Sequence, residues 1–464
     1  MVMLYEDPGD TLHRAVKLAL DTGEAATLEQ AYELFEGYRL VVSVGSDVAR
    51  SPTLQAALLT IVNTGRRCFL GGVEVTGPLN EPLRIPWRTC QTLREAVEDL
   101  GGVPTTSPSD KAPLVVVGDA AAPPGERQFA VRATFQGWAA GVTPLGSGVR
   151  LAESLEFAPS GVLAGALSVS EAFQHVRGGN ATAGRRDVGL SLWRPDPSVS
   201  WLSDEAVGPA LRLLPTKLWI IGLGHLGQAF LWTLGFLPYA DSAELLLVLQ
   251  DFDSLVKAND STSPLTHTGL LGQKKTRAMA VWAEARRFRT LITERRFAAD
   301  FRVAADEPMI ALCGVDNPLA RAAVEEVGFG RVIEAGLGKG ASEYLAFQLH
   351  TFPGPQKARD VWSMNRVANE TSRPSLTSSP AYAALSAQGM DDCGLAMLAG
   401  RSVGAAFVGT TVSALVVAEV LREMEGQTRI GLIDGSLRSL QHRAVIPAVG
   451  SALANPGYCL TVAV

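Results

Sequence analysis

The chain has 464 residues, enough for two or more domains around a large core. Hydrophobic residues make up 47% and charged residues 19%, which excludes a disordered chain. A net charge of −6 excludes the global basic field that would draw a protein to nucleic acid or to an anionic membrane.

The opening text "MVMLYEDPGD" is acidic and lacks the apolar run of a signal peptide, so a cytoplasmic protein is expected. "TLHRAVKLAL" reads as a helix that carries Arg14, with Lys17 one turn on. "YRLVVSVGSDVARSPTLQAALLTIVNTG" reads as strand, turn and helix. "CFLGGVEVTG" is a second strand with no acid pair after it. "APLVVVGDA", "FAVRATFQGWAAG" and the apolar helix "PSGVLAGALSVSEAFQHV" complete the first half.

The second half repeats this order. "KLWIIGLG" is a strand, "GQAFLWTLGFL" a helix, "ELLLVLQDFD" a strand ending in acids, and "KKTRAMAVWAEARRF" a helix. "PMIALCGVDN" and "RVIEAGLG" are strands with the helix "PLARAAVEEVGFG" between them. The apolar stretch "MLAGRSVGAAFVGTTVSALVVAEVL" is long enough for a membrane span, but Arg401, Glu419 and many small residues point to a helix buried in protein. Residues 351–395 interrupt the second unit, and "TSRPSLTSSPAYA" gives them the composition of an exposed, flexible insertion. The basic clusters at Arg286, Arg287 and Arg289, and at Arg295 and Arg296, read as a solvated helix face. The expected fold is α/β: two tandem doubly wound, Rossmann-like units, residues 1–200 and 201–464, forming an intrachain pseudo-dimer. The first unit reads as degenerate, because "VGSDVARS" replaces a glycine-rich turn.

The chemistry is expected in the second unit. Gly222, Gly224 and Gly227 form a G-x-G-x-x-G turn between strand and helix, the arrangement that holds a nucleotide phosphate. With an acid about 20 residues on, NAD fits this much as well as any other nucleotide. The text after that acid discriminates. Asp251 and Asp253 alternate at a strand end, Asn259 follows, Gly272 and Lys275 open a helix, and Asp316 ends a later strand with Arg321 one turn beyond.

This set resembles the adenylating family of ubiquitin-activating enzymes, which includes the activators of sulfur-carrier proteins in molybdopterin and thiamine pathways. The resemblance covers residues 215–350 well and the helix after Cys393 fairly well. It implies that the three glycines let the backbone approach ATP phosphates. Asp251 would bind the ribose, Asn259 and Lys275 the phosphates, and Asp316 a magnesium ion. Asp253 belongs to the same D-x-D motif, though a turn cap would equally account for it. The family's in-cis arginine falls at Thr262, which has no charge; Arg277 and Arg321 are the candidates to compensate. A second family arginine comes from the partner subunit, and the degenerate half would supply it here as Arg14.

The resemblance also frames the fate of the acyl group. The five cysteines, Cys68, Cys90, Cys313, Cys393 and Cys459, contain no C-x-x-C pair, so the zinc motifs of sulfur-carrier activators are missing and a reducing compartment is expected. Ubiquitin-type activators carry a nucleophilic cysteine between the late strands and the apolar crossover helix, where Cys393 stands; Cys90 and Cys459 are the runners-up. The chain then looks like the compact activators encoded beside bacterial ubiquitin-like conjugation systems associated with antiphage defence. The implied partners are the C-terminal tail of a ubiquitin-like protein and a conjugating-type carrier enzyme, without nucleic acid or membrane. Peptide-tailoring or sulfur-carrier-type adenylation without a catalytic thiol, and a non-catalytic nucleotide-binding scaffold, are the alternatives.

Overall fold

The computed structural model describes residues 8–86, 90–363, 380–387, 395, 398–448 and 454–461. Its first sheet has seven strands: β1 (Leu40–Val44), β2 (Val73–Thr76), β3 (Val103–Pro104), β4 (Leu114–Val117), β5 (Ala130–Gln136), β6 (Ala139–Pro144) and β7 (Val188–Ser191). A two-residue strand, β8 (Leu213–Leu214), pairs with the late β17 (Cys459–Leu460). The second sheet has eight strands: β9 (Lys217–Ile221), β10 (Leu246–Gln250), β11 (Arg289–Thr293), β12 (Ile310–Cys313), β13 (Arg331–Leu337), β14 (Ala346–Phe352), β15 (Ile430–Ser436) and β16 (Ala444–Pro447).

The repeat seen in the sequence is a repeat of topology. The first sheet runs β3-β2-β1-β4-β5-β6-β7 and the second β11-β10-β9-β12-β13-β14-β15, with β16 added at its edge. In each, the strands up to β5 or β13 are parallel and the next two are antiparallel. β1, β4 and β12 are buried along their whole length, as befits parallel strands covered on both faces by helices. A crossover helix follows the sixth strand of each unit: Ala158–Val176 in the first and Ala406–Met424 in the second. Small residues let these helices lie close to their neighbours. A Cβ on Gly161 would stand 2.0 Å from the Thr53 carbonyl oxygen of helix Pro52–Gly65, and one on Gly409 would stand 2.4 Å from His225 Nε2. The two crossover helices also pack on each other, so one apolar core runs through both units and includes Leu58, Leu163, Phe230 and Val412. Ala406–Met424 is therefore interior to the protein, and no helix among the described residues is long and apolar enough to cross a membrane.

Polar contacts fix the units against each other. The buried Arg67 guanidinium sits 2.8 Å from the Asp260 carboxylate and donates to the carbonyls of Pro264 (3.1 Å) and Thr266 (3.0 Å). Asn63 also donates to Pro264, and Trp232 Nε1 donates to Thr60 Oγ1. Burial pulls Arg67 down to about 9, so it remains charged at neutral pH. Arg66 also reaches Asp260 (2.9 Å) and the Thr266 carbonyl (3.2 Å), so Arg67→Ala removes buried hydrogen bonds without stranding a charge and should lower stability by about 1–3 kcal/mol in urea unfolding. A loss below about 1 kcal/mol would show that the units do not depend on this contact.

Three expectations are corrected. The helix read over "TLHRAVKLAL" is broken: Pro8–Thr11 and Lys17–Asp21 are helical and Arg14 lies in the turn between them. Lys17 is buried and paired with Asp21. The helix after Asp316 is short, Pro318–Ala322. The described ends of the insertion carry buried side chains among exposed ones: Trp362, Tyr382 and Leu385 are buried, and Tyr382 OH donates to Asp21 of the first unit at 2.9 Å, while residues 371–379, most of "TSRPSLTSSPAYA", lie outside the described residues. The basic clusters are not one solvated helix face. Arg286 is buried with its guanidinium 3.6 Å from the Trp282 ring centre, and Arg289 lies on the edge strand β11.

Candidate active site at the carboxyl ends of the second sheet

Parallel strands deliver their following loops to one edge of the sheet, and ligands of open α/β sheets bind there, where strand order reverses. In the second sheet that point lies between β9 and β12. A cavity of about 1210 Å³ opens there, lined by Gly222 and Gly224 after β9, Asp251 and Asp253 after β10, and Asp316 after β12. Asn259, Lys275 and, from the first unit, Arg14 complete the expected set around it. At about 1210 Å³ the space exceeds the roughly 300–1,000 Å³ of a small-molecule pocket, so it has room for a nucleotide and a chain end together.

The glycines act in different ways. Gly222 has φ +83°, which a side chain would strain, and its turn ends in Gly224, where an added Cβ would meet nothing within 4 Å. No side chain caps helix His225–Leu234, and Gly224, His225 and Leu226 at its start line the cavity, a place where helix N-termini bind anions. Gly227 does not line the cavity. Its Cβ would lie 1.8 Å from the Gly222 carbonyl oxygen, so its smallness seats the helix under the turn.

The acids are also differentiated. Asp251 accepts from Leu223 N (2.7 Å), Phe252 N (2.7 Å) and Asp253 N (2.9 Å), which ties the glycine turn to the end of β10. Asp253 reaches Lys275 Nζ at 3.1 Å. Asn259 Oδ1 accepts from Val256 N at 2.9 Å, leaving its amide nitrogen on the cavity side. Asp316 is exposed, with no ion pair among the described residues. Among those residues no cluster of three or more metal-ligating side chains exists, so a divalent ion at Asp316 would complete its shell with phosphate oxygens and water, the ligands magnesium prefers.

Thr262, where the family's own arginine is missing, packs against Gly404: a Cβ there would lie 3.0 Å from Thr262 Cγ2. Arg14 passes this same spot. Its amide donates to Ser261 Oγ at 3.0 Å and its carbonyl accepts from Gly404 N at 3.4 Å. Its guanidinium donates to the Gly9 carbonyl at 2.7 Å, and the two candidates to compensate at Thr262 also have partners of their own. Arg277 is exposed and paired with Glu294, and the Arg321 guanidinium is held by Glu334 at 2.9 Å. Sequence reading passed over Arg295, Arg296, Lys339 and Arg401, which also line the cavity. Only Lys339 had a usable signal, its place in the glycine-rich turn after β13.

The corresponding place in the first unit is occupied by its own side chains. Asp119, after β4, is the topological counterpart of Asp316. It accepts from Ser46 Oγ at 3.2 Å and lies so close that a Cβ on Gly45 would stand 2.2 Å from its Oδ1. The described cysteines are all buried. Burial pushes the Cys68 thiol up, Cys313 up to about 12 and Cys459 up to about 11. Cys459 pairs beside β8, ahead of the first residue of β9 and so at the sheet end away from the cavity. Cys393 lies outside the described residues.

Two family models match the chain: the BilD N-terminal domain over residues 39–192 and the BilD C-terminal domain over residues 214–427. A bacterial E1-like protein BilD of Collimonas sp. (strain OK412) is 42% identical over 431 residues, covering 93% of this chain and 92% of that protein. Among solved structures, E. coli MccB with succinimide aligns with a TM-score of 0.34 at 13% identity, over 52% of this chain and 66% of that one. E. coli tRNA N6-threonylcarbamoyladenosine dehydratase, TcdA, aligns with a TM-score of 0.30 at 15% identity, over 46% of this chain and 86% of that one. With sequence similarity running through both units, the chain belongs to the BilD family of bacterial E1-like proteins.

Proposed function

We propose that this chain activates the C-terminus of a ubiquitin-like protein with ATP, using the second unit as the catalytic domain and the first as a silent partner. One observation carries the reading: a single cavity gathers Arg14 of the first unit with the glycine turn, Asp251, Asn259, Lys275 and Asp316 of the second. In the proposed step a carboxylate oxygen of the tail attacks the α-phosphorus and pyrophosphate leaves, giving an acyl adenylate. The uncapped helix N-terminus, Asn259 and Lys275 would bind phosphate oxygens, and Asp251 the ribose. A magnesium ion held by Asp316 would stabilise charge on the leaving pyrophosphate. Arg14 takes the place of the charge absent at Thr262 and draws the tail carboxylate and α-phosphate together against their repulsion.

The Cys393 thiolate would then attack the acyl carbon, forming a C–S bond as the bond to AMP breaks, and a carrier enzyme's cysteine would take the acyl group by exchange. Two facts support this assignment. The described cysteines are buried, and the chain lines the cavity again from Gly400, seven residues past Cys393 and about 25 Å of extended chain at most. The same burial favours a second reading, adenylation of a peptide without a thioester, should Cys393 prove inert.

The reading is tested by ATP–pyrophosphate exchange with purified chain, magnesium and candidate ubiquitin-like proteins. Exchange that depends on an intact tail is expected, and its absence with every carrier tried, alongside no ATP binding, would end the proposal. Arg14→Ala should slow exchange by about 10- to 100-fold, the loss of a charge-assisted contact, while Arg277→Ala should leave it unchanged. Equal effects of the two would remove Arg14 from the site.

A further inference from the structure

Arg321 faces the cavity, yet its guanidinium is directed back into the protein. Nε donates to the Val315 carbonyl at 2.8 Å and lies 2.9 Å from Glu334 Oε1, and an Nη donates to the Ala335 carbonyl at 2.8 Å. Glu334 is fully buried in the middle of β13, and its other oxygen lies 3.2 Å from His350 Nδ1. Gly336 keeps the space open, since a Cβ there would stand 2.6 Å from the guanidinium. Val315 immediately precedes Asp316. On the other side Asn317 Oδ1 accepts from Leu319 N at 2.9 Å and Ala320 N at 3.3 Å. Asp316 thus has no side-chain partner among the described residues, but the backbone on both sides of it is pinned.

A buried carboxylate in a strand is costly, and an apolar pair of similar volume often serves packing as well or better. What an apolar pair would lack is a fork that fixes the Val315 carbonyl to β13. We propose that Glu334 and Arg321 are positioning residues that fix the Val315–Asn317 turn and so aim the Asp316 carboxylate at the metal–nucleotide. The inference rests on the adenylation reading above. Outer contacts of this kind are typically worth 10- to 100-fold in metal affinity.

The test uses the full chain carrying Arg321→Met with Glu334→Leu, which removes the pair without stranding a charge, and Glu334→Gln as a second variant in case the first does not fold. Hydrogen exchange without metal or nucleotide should show the amides of residues 315–320 exchanging at least about tenfold faster, with the urea midpoint close to that of the parent. Mn²⁺ titrated by EPR in the presence of a non-hydrolysable ATP analogue should bind about tenfold more weakly, with binding of the analogue alone unchanged. The magnesium concentration for half-maximal pyrophosphate exchange should rise by a similar factor, and the rate at saturating magnesium should largely recover. A folded variant with parental exchange at 315–320 and parental Mn²⁺ affinity overturns the inference. A parent chain that binds no Mn²⁺ with the analogue overturns the adenylation reading instead.

Discussion

Asp316→Ala is expected to lower ATP–pyrophosphate exchange by about a thousandfold while leaving the fold intact, because on the proposed reading it removes the carboxylate that would hold magnesium against the phosphates. The side chain is exposed and makes no ion pair among the described residues, so the stability cost should stay within about 0.5 kcal/mol. Asp316→Asn keeps the shape and one acceptor oxygen but lacks the charge, and should fall between parent and alanine variant. Circular dichroism and urea unfolding establish that the fold survives, and exchange at several magnesium concentrations then reads the site. Undiminished exchange in the alanine variant would place the metal elsewhere. The same substitution at Asp119 should do nothing to exchange, since that carboxylate faces Ser46 and the Asp47 amide of the turn after β1.

The second large effect is expected at Cys393. Cys393→Ala should leave pyrophosphate exchange within about twofold of the parent and abolish the reducible adduct with the ubiquitin-like protein. Cys393→Ser should give either no adduct or an ester that resists reducing agent, because an alkoxide is a far poorer nucleophile to generate near neutral pH than a thiolate. Cys68, Cys313 and Cys459 are kept in the neutral thiol form by burial, so their alanine variants should retain the adduct. A reducible adduct that survives Cys393→Ala directs attention to Cys90 next. An adduct that no single cysteine substitution removes favours peptide adenylation without a thioester.

The candidate site was legible in the sequence to the extent that it is local. Strand ends are marked by where apolar runs stop, so Gly222, Asp251 and Asp316 could be placed at one edge of the sheet from alternation alone. The tandem repeat was legible for the same reason, since each unit's strands and crossover helix keep their order and apolar pattern. Long-range pairing was not. Whether Arg277, Arg321 or Arg14 stands beside Thr262 depends on which arginines pair with Glu294 and Glu334, and no spacing in the chain records that. Helix lengths were overestimated around Arg14 and after Asp316, because a helical pattern does not reveal where tertiary contacts end the helix.

The sequence by itself determined the fold class and the tandem order of strands and crossover helices, since these follow from apolar periodicity. Only the tertiary structure decided which unit supplies which charge. Arg14 reaches the second unit's cavity because Asn63, Arg67 and Trp232 join the two units over a shared core, and that geometry is a property of packed surfaces, not of any one segment. The insertion shows the same division. Its composition points to exposure, yet Tyr382 at its described end is buried and donates to Asp21 of the first unit, a partner that no local text reveals.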